Sequence, residues 1–342
     1  MLITILAFLF VLSLLILAHE IGHFVAARRV GIHVVEFGIG WPPRLISRRV
    51  GDTLYSLNLL PLGGFVRMFG EFGGAEPGSF MSKRPAERAV VILAGVAMNI
   101  LIAPVLFTMA FMLGVPEYTD RIFVQEVVPE SPAAAVGLQA GDHILTINDV
   151  AVTALAHVRE QIGNAQAGAP LHLSIEREGK QQTFDVIPEY DPQIERLAVG
   201  IVLLPEHTIK RYWPWEAAWR GIVRTGEMFA IIGIGIASLI QGAEEGDVLG
   251  PVGIASLTGQ VARSGISQLL TFTGFLSINL AIINLLPFPG LDGARFVFTV
   301  VEMVRGRPID PKREAAINFA GIIILLTLMV LITYRDIVRL VG

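Results

Sequence analysis

Apolar and polar positions fall into two kinds of block along this chain. Residues 2–18 carry no charge in seventeen consecutive positions. Comparable apolar runs cover 89–113, 268–287 and 315–333. A transmembrane helix needs roughly 17–25 such residues, so each run predicts one span. Met228 to Ile240 is apolar for only thirteen positions. Trp213, Trp215 and Trp219 precede it, as an aromatic belt does at a membrane interface. The expectation is an amphipathic helical segment over 206–267, lying on or dipping into the bilayer through 228–242. The other kind of block is short and rich in β-formers. His33–Gly38 and Thr53–Leu59 predict strands, with Gly40-Trp-Pro-Pro as the turn between them. From 115 to 205 the composition becomes that of a soluble domain, with alternating strands at Leu171–Ile175 and Phe184–Ile187.

These blocks predict an α-helical polytopic membrane protein with about four transmembrane helices, a membrane-associated β-hairpin region and one inserted α/β domain. The expected division is 1–114, 115–205, 206–267 and 268–342. Composition agrees: hydrophobic residues are 53% and charged residues 16% of the chain, against roughly 45–50% and 25% in soluble proteins. Mean hydropathy is +0.62. The net charge of −4 argues against a nucleic-acid partner. There is no cysteine, so a metal would need His, Asp or Glu. The first apolar run has no basic start and no small-residue cleavage site, so it reads as a retained span.

That run leads directly into His19-Glu20-Ile21-Gly22-His23. Two histidines four residues apart share one helix face and can reach one Zn²⁺. Glu20 between them can act as base toward water activated by the metal. If the helix enters the bilayer near residue 3, His19 lies about 24 Å along it at ~1.5 Å per residue. The hydrocarbon core is about 30 Å thick, and ionisable groups at such depth are functional candidates.

Charge asymmetry predicts the topology. Nine Lys/Arg lie from Arg28 to Arg88 and five from Arg295 to Arg313, which places both loops in the cytosol by the positive-inside rule. The stretch 115–267 carries ten Lys/Arg and nineteen Asp/Glu, which suits the extracytoplasmic side. His19, His23 and Asp292 then fall at similar depth near the cytosolic face. A full span at 228–242 would invert the next span and carry Asp292 to the opposite face. A catalytic zinc takes three protein ligands and keeps one position open, and Asp292 is the acidic residue at the right depth. Pro287, Pro289, Gly290 and Gly293 break the helix beside it.

Residues 127–149 resemble a PDZ domain, with Ser131-Pro-Ala-Ala, Gly137-Leu-x-x-Gly-Asp and Ile144-x-x-Ile-Asn. Such a domain binds extended chain ends; the alternative is a steric filter that binds nothing tightly. The chain as a whole resembles the site-2 protease family of intramembrane zinc proteases, in its PDZ-containing bacterial branch. The resemblance rests on His19-Glu20-x-x-His23 and on Asn284-x-x-Pro287-x-Pro289-x-Leu291-Asp292-Gly293. Gly64-Phe-Val-Arg-Met and Gly250-Pro-Val-Gly also resemble family segments. It implies a Zn²⁺ cofactor held by His19, His23 and Asp292, with Glu20 catalytic. It implies substrate contacts at Asn284, Pro287, Gly64 and Phe65. Single-pass membrane proteins, such as anti-sigma factors or remnant signal peptides, are the implied substrates. A strand edge near 53–60 or 64–68 could hold an unwound substrate; the alternative is a purely structural hairpin. The chain departs from the best-known bacterial members in having one PDZ-like domain rather than two, and Ala294 stands where glycine is common. Two other readings remain open: a membrane-anchored zincin with a soluble site, and a pseudoprotease acting as a PDZ scaffold.

Overall fold

The apolar N-terminal run and the histidine motif form one continuous helix, α1 (Leu2–Arg29). The structure is a computed structural model. It describes all residues except 72, 75, 167, 192–195, 241–248, 308 and 342, and omits the side chains of 62, 239, 240, 311, 340 and 341. Two compact units emerge: Met1–Gly114 with Arg211–Gly342, and Val115–Lys210.

In the first unit, α1 is followed by β1 (Val34–Val50) and β2 (Thr53–Met68). The Gly-Trp-Pro-Pro stretch expected as a turn lies inside β1. The reversal comes instead at Gly51–Asp52, with Gly51 at a φ of +59° that glycine tolerates at no steric cost. Residues 36–39 pair on both sides, with 54–57 and with 64–67, while 44–50 pair with 53–58. Residues 54–57 are therefore internal, which removes them as a docking edge. Residues 64–67 pair on one side only among the described residues.

α2 (Pro85–Leu113) opens with proline in its first turn, and the Arg84 N–H donates to Glu87 Oε2 at 2.9 Å. This closes the helix start by a capping-box geometry. After the second unit the chain continues through helices given below in order.

The second unit contains β3 (Val115–Val127), α3 (Pro132–Val136), β4 (His143–Ile147), β5 (Val150–Ala151), α4 (Leu155–Gly163), β6 (Leu171–Arg177), β7 (Lys180–Val186), β8 (Glu189–Asp191), β9 (Arg196–Ala198) and β10 (Ile201–Lys210). Its main sheet runs β10-β3-β4-β6-β7, with β5 on β4. Alternation along β4 and β6 turns Ile144, Ile147, Leu171, Leu173 and Ile175 into one buried core. Ser131 caps α3 through the Ala134 N–H. Asp142 is buried and accepts from Arg177 Nε and Nη2, both at 2.7 Å, and from the Gln139 N–H at 2.8 Å. Asp142→Ala removes all three charge-assisted bonds. It is expected to cost about 2–3 kcal/mol locally. Hydrogen exchange on the full chain should show faster exchange in β4 and β6, with α1 and α2 unchanged.

The chain then forms α5 (Pro214–Ile240), α6 (Pro251–Ser264), α7 (Ile266–Leu285), α8 (Asp292–Arg305) and α9 (Pro311–Val341). Among the described residues, five helices (α1, α2, α5, α7 and α9) are long and apolar enough to cross a membrane by length and composition. This differs from the expected four. The expected short amphipathic piece at 228–242 is part of α5, a helix of 27 residues; its residues 241 and 242 lie outside the described residues. The charges before Met228 do not stop the helix because they pair along it. Arg220 reaches Glu216 at 3.2 Å and Arg224 reaches Glu227 at 2.9 Å.

Helix directions correct the topology reasoning. The Tyr212 N–H donates to the Phe111 carbonyl at 3.1 Å, and Gly221 packs against Pro104 further along. α5 therefore runs antiparallel to α2. Ser267 Oγ donates to the Ala110 carbonyl and Ser277 Oγ to the Asn99 carbonyl, so α7 is antiparallel to α2 as well. α1 runs the same way, with His23 at Val91 and His19 at Gly95. Two successive apolar helices, α5 and α7, therefore keep one direction, and α6 stands between them in sequence, with Gly259 seated on Thr4 of α1. Asp292 consequently reaches the depth of the histidines even with α5 as a full-length helix.

Candidate metal centre

The site is assembled from α1, α2 and the break between α7 and α8. His19 and His23 are stacked one helical turn apart, edge to face, with ring centroids 4.6 Å apart. Both are buried. The helix α2 passes directly over them because position 95 is glycine. A Cβ there would lie 2.4 Å from His23 Nε2 and 2.7 Å from His19 Cε1. Gly22 makes the reciprocal approach, with a Cβ placed 2.2 Å from the Ala94 carbonyl oxygen. Small residues on both helices thus bring the backbones close enough to wall in the imidazoles. Of the α2 residues singled out as a packing face, Gly95 and Asn99 are buried and Ala97 faces outward.

Asp292 arrives from the far end of the sequence. α7 ends at Leu285, and the chain turns through the two prolines and Gly290, at φ +96°, before α8 begins at Asp292. Gly293 allows the sharp reversal, since a Cβ would lie 2.2 Å from the Leu286 carbonyl oxygen. Asn318 on α9 holds the turn by accepting from the Gly290 N–H at 3.2 Å. Gly321 on α9 seats Pro289, whose carbonyl oxygen would be 2.1 Å from a Cβ there. Neither α9 residue was recognisable beforehand, because nothing in an apolar run marks which turn another loop rests on.

Three donor atoms converge. Asp292 Oδ2 lies 3.0 Å from His19 Nε2 and 3.2 Å from His23 Nε2. The two Nε2 atoms are 3.1 Å apart. His23 Nδ1–H donates to the Val91 carbonyl at 2.8 Å, which leaves its Nε2 lone pair pointing at the other two atoms. Asp292 Oδ2 and His19 Nδ1 are buried and have no hydrogen-bond partner among the described residues.

The triangle fits a zinc ion. Tetrahedral zinc with bonds of about 2.0–2.1 Å holds its ligand atoms about 3.3–3.4 Å apart. The observed edges of 3.0–3.2 Å are close to one face of that tetrahedron. An acceptor oxygen buried against two nitrogen lone pairs is unfavourable until a cation or protons lie among them. A cleft of about 240 Å³ adjoins the donors, lined by Ile16, His19, Glu20, Leu280, Asn284, Gly290, Leu291 and Asp292.

The remaining predicted residues are distributed around this cleft. Glu20 and Asn284 line it. Gly64, on the edge segment, approaches from the side, with a Cβ placed 3.9 Å from Glu20 Cγ. Phe65 does not join them: its ring lies over Gly38 across the sheet. Pro287 is exposed in the turn and is not among the residues lining the cleft. Among the described residues, His19, His23 and Asp292 form the one cluster of three able to hold a metal.

Residues 7–328 match peptidase family M50, and the chain belongs to that family. It is a zinc metalloendopeptidase of the site-2 protease type and an integral membrane protein. A Clostridium perfringens protein whose name places it among zinc metalloproteases is 35% identical, over 95% of this chain and 96% of its own length. Zinc metalloprotease RasP of Geobacillus kaustophilus is 31% identical, over 98% of this chain and 97% of its own. The regulator of sigma-W protease RasP of Bacillus subtilis is 29% identical, over 98% and 99%. Among solved structures, the PDZ domain of an SdrC-like protein from Listeria monocytogenes is similar at 25% identity, with 26% of this chain and 94% of that one covered and a TM-score of 0.24. A score that low assigns no fold.

Proposed function

We propose that this protein hydrolyses transmembrane segments of single-pass membrane proteins, with zinc held by His19, His23 and Asp292. The observation that carries the reading is the triangle of donor atoms with edges of 3.0–3.2 Å at the wall of an open cleft. Bound zinc supplies Lewis acidity toward water and toward the scissile carbonyl. Glu20 takes the proton of the attacking water and returns it to the leaving amine. His23 is oriented for its role by the Val91 carbonyl.

A transmembrane helix hides its carbonyls in its own hydrogen bonds, so substrate must unwind before it is cut. The one-sided pairing of 64–67 beside Glu20 supports its use as an edge that receives the unwound segment. Asn284 on the cleft wall is suited to hold substrate backbone. Phe65 and Pro287 would act by shaping the approach rather than by lining the cleft. The excess of Lys and Arg around α1, α2 and α8 supports a site near the cytosolic face, with Val115–Lys210 on the extracytoplasmic side. That unit, PDZ-like in its Gly-Leu-x-x-Gly-Asp turn, would admit trimmed substrates or bind their new chain ends. The sigma-W regulator among the relatives favours membrane-bound anti-sigma factors as one substrate class.

The test is cleavage of a one-span substrate by the purified full chain, with and without a zinc chelator. Chelation should abolish cleavage and zinc should restore it. Asp292→Asn should lower zinc from about one per chain to a small fraction, read by elemental analysis. Full zinc occupancy in that variant would overturn the assignment of Asp292. A soluble zinc site elsewhere would need a second donor cluster, and the described residues contain none.

A further inference from the structure

One face of α8 carries charge where a packed helix normally carries apolar side chains. Asp292, Arg295 and Glu302 are spaced by three and seven residues, which at about 3.6 residues per turn keeps them on one face. Arg295 Nη1 reaches Glu71 Oε1 at 2.9 Å, with the side chains 25% and 12% exposed. Arg88 of α2 pairs with Glu302, with side chains 5% and 15% exposed. Both guanidinium groups lie over the Phe80 ring, that of Arg88 6.0 Å and that of Arg295 5.6 Å from its centroid. The two ion pairs are therefore one assembly around a buried ring.

The buried residues of α8 are Gly293, Ala294 and Thr299, while Val297, Val300, Met303 and Val304 are exposed. Phe296 packs part-buried against the core that contains Phe80, but the fully buried side chains are too small to interlock strongly with neighbouring helices, which leaves the ion pairs a share in fixing the helix's rotation. Charges so enclosed are costly unless paired, and only one rotation of α8 pairs them. A rotation by one residue, about 100°, would break both pairs and carry Asp292 away from the histidines. The partners are informative too. Arg88 sits two turns before Gly95, which walls the imidazoles, and Glu71 follows the edge segment 64–67.

We propose that Arg88, Glu302, Arg295 and Glu71 are positioning residues: they lock α8 in the rotation that turns Asp292 toward His19 and His23. The inference rests on the zinc reading above and gives these four residues a role in metal affinity. They touch neither the cleft nor the three donors.

The test uses the full chain in detergent, stripped of metal and titrated with zinc. Glu302→Gln is expected to weaken zinc binding ~10–100-fold and to lower kcat, with KM within about twofold of wild type. In the metal-free variant, amides 292–296 should exchange faster while those of β4 and β6 are unchanged. The charge swap Arg88→Glu with Glu302→Arg should recover most of the lost affinity. Glu71→Gln, which leaves the more buried pair intact, should show a smaller loss and decides the matter if Glu302→Gln does not fold. Zinc affinity equal to wild type in the folded glutamine variants overturns the proposal. A wild-type affinity that His19→Ala leaves unmoved overturns the zinc reading instead, and the brace with it.

Discussion

Glu20→Gln is expected to leave zinc bound and to abolish cleavage. The substitution keeps the size of the side chain and its place on the cleft wall, beside His19 and Asp292. It removes the group that accepts a proton. Loss of a general base lowers rate by about 10²–10⁴-fold, which takes the cleavage of an unwound peptide below detection in an ordinary assay. Zinc content should stay near that of wild type because the three converging donors are untouched. The check is paired: elemental analysis for zinc and a gel assay on a one-span substrate. A variant that cleaves at more than about a tenth of the wild-type rate would remove Glu20 from the role of base.

Gly95→Ala is expected to have an effect of similar size by a different route. The added methyl would stand 2.4 Å from His23 Nε2 and 2.7 Å from both His19 Cε1 and His23 Cε1. Contacts that short force either α2 outward or the imidazoles apart. Outward movement of α2 is opposed by α7, whose Ser277 and Ser267 hydroxyls donate to the Asn99 and Ala110 carbonyls. Moving the rings by an ångström breaks a triangle whose edges are 3.0–3.2 Å. Zinc content should therefore fall to a small fraction of one per chain and activity with it. Helix content by circular dichroism should remain, because alanine favours helix over glycine by about 1 kcal/mol. Normal zinc content in this variant would mean that α2 yields more readily than its packing implies.

These two substitutions separate what was readable in the chain from what was not. Glu20 stood out in the sequence as a candidate, because it lies between two histidines four apart at the end of a long apolar run. Gly95 was visible only as a small residue on a packing face. That it lies over both imidazoles depends on how α1 and α2 cross, and no local pattern encodes the crossing. Asn318 and Gly321 are further cases: they sit in an ordinary apolar run yet hold the turn that delivers Asp292. Phe65 shows the converse limit. It belongs to a segment with a functional look, but its ring lies over Gly38 rather than in the cleft.

The length of α5 was not legible for a related reason. Charged residues before Met228 looked like the end of an apolar stretch, but Glu216 with Arg220 and Arg224 with Glu227 pair along one helix of 27 residues. Hydropathy counts charges singly, whereas a helix surface presents them as pairs. Asp292 still comes level with the histidines, because α7 runs antiparallel to α2 just as α1 does.

By itself the sequence determined the membrane class, the identity of the chemical groups and the likeness to the family. Those depend on composition and on short-range spacing, which a helix converts directly into a shared face. Only the tertiary structure decided that His19, His23 and Asp292 stand 3.0–3.2 Å apart. It also decided that 64–67 pair on one side only among the described residues, while 54–57 pair on both. Both are outcomes of close backbone approach between elements far apart in sequence. Such approach is set by glycines and buried ion pairs whose partners lie up to 214 residues away.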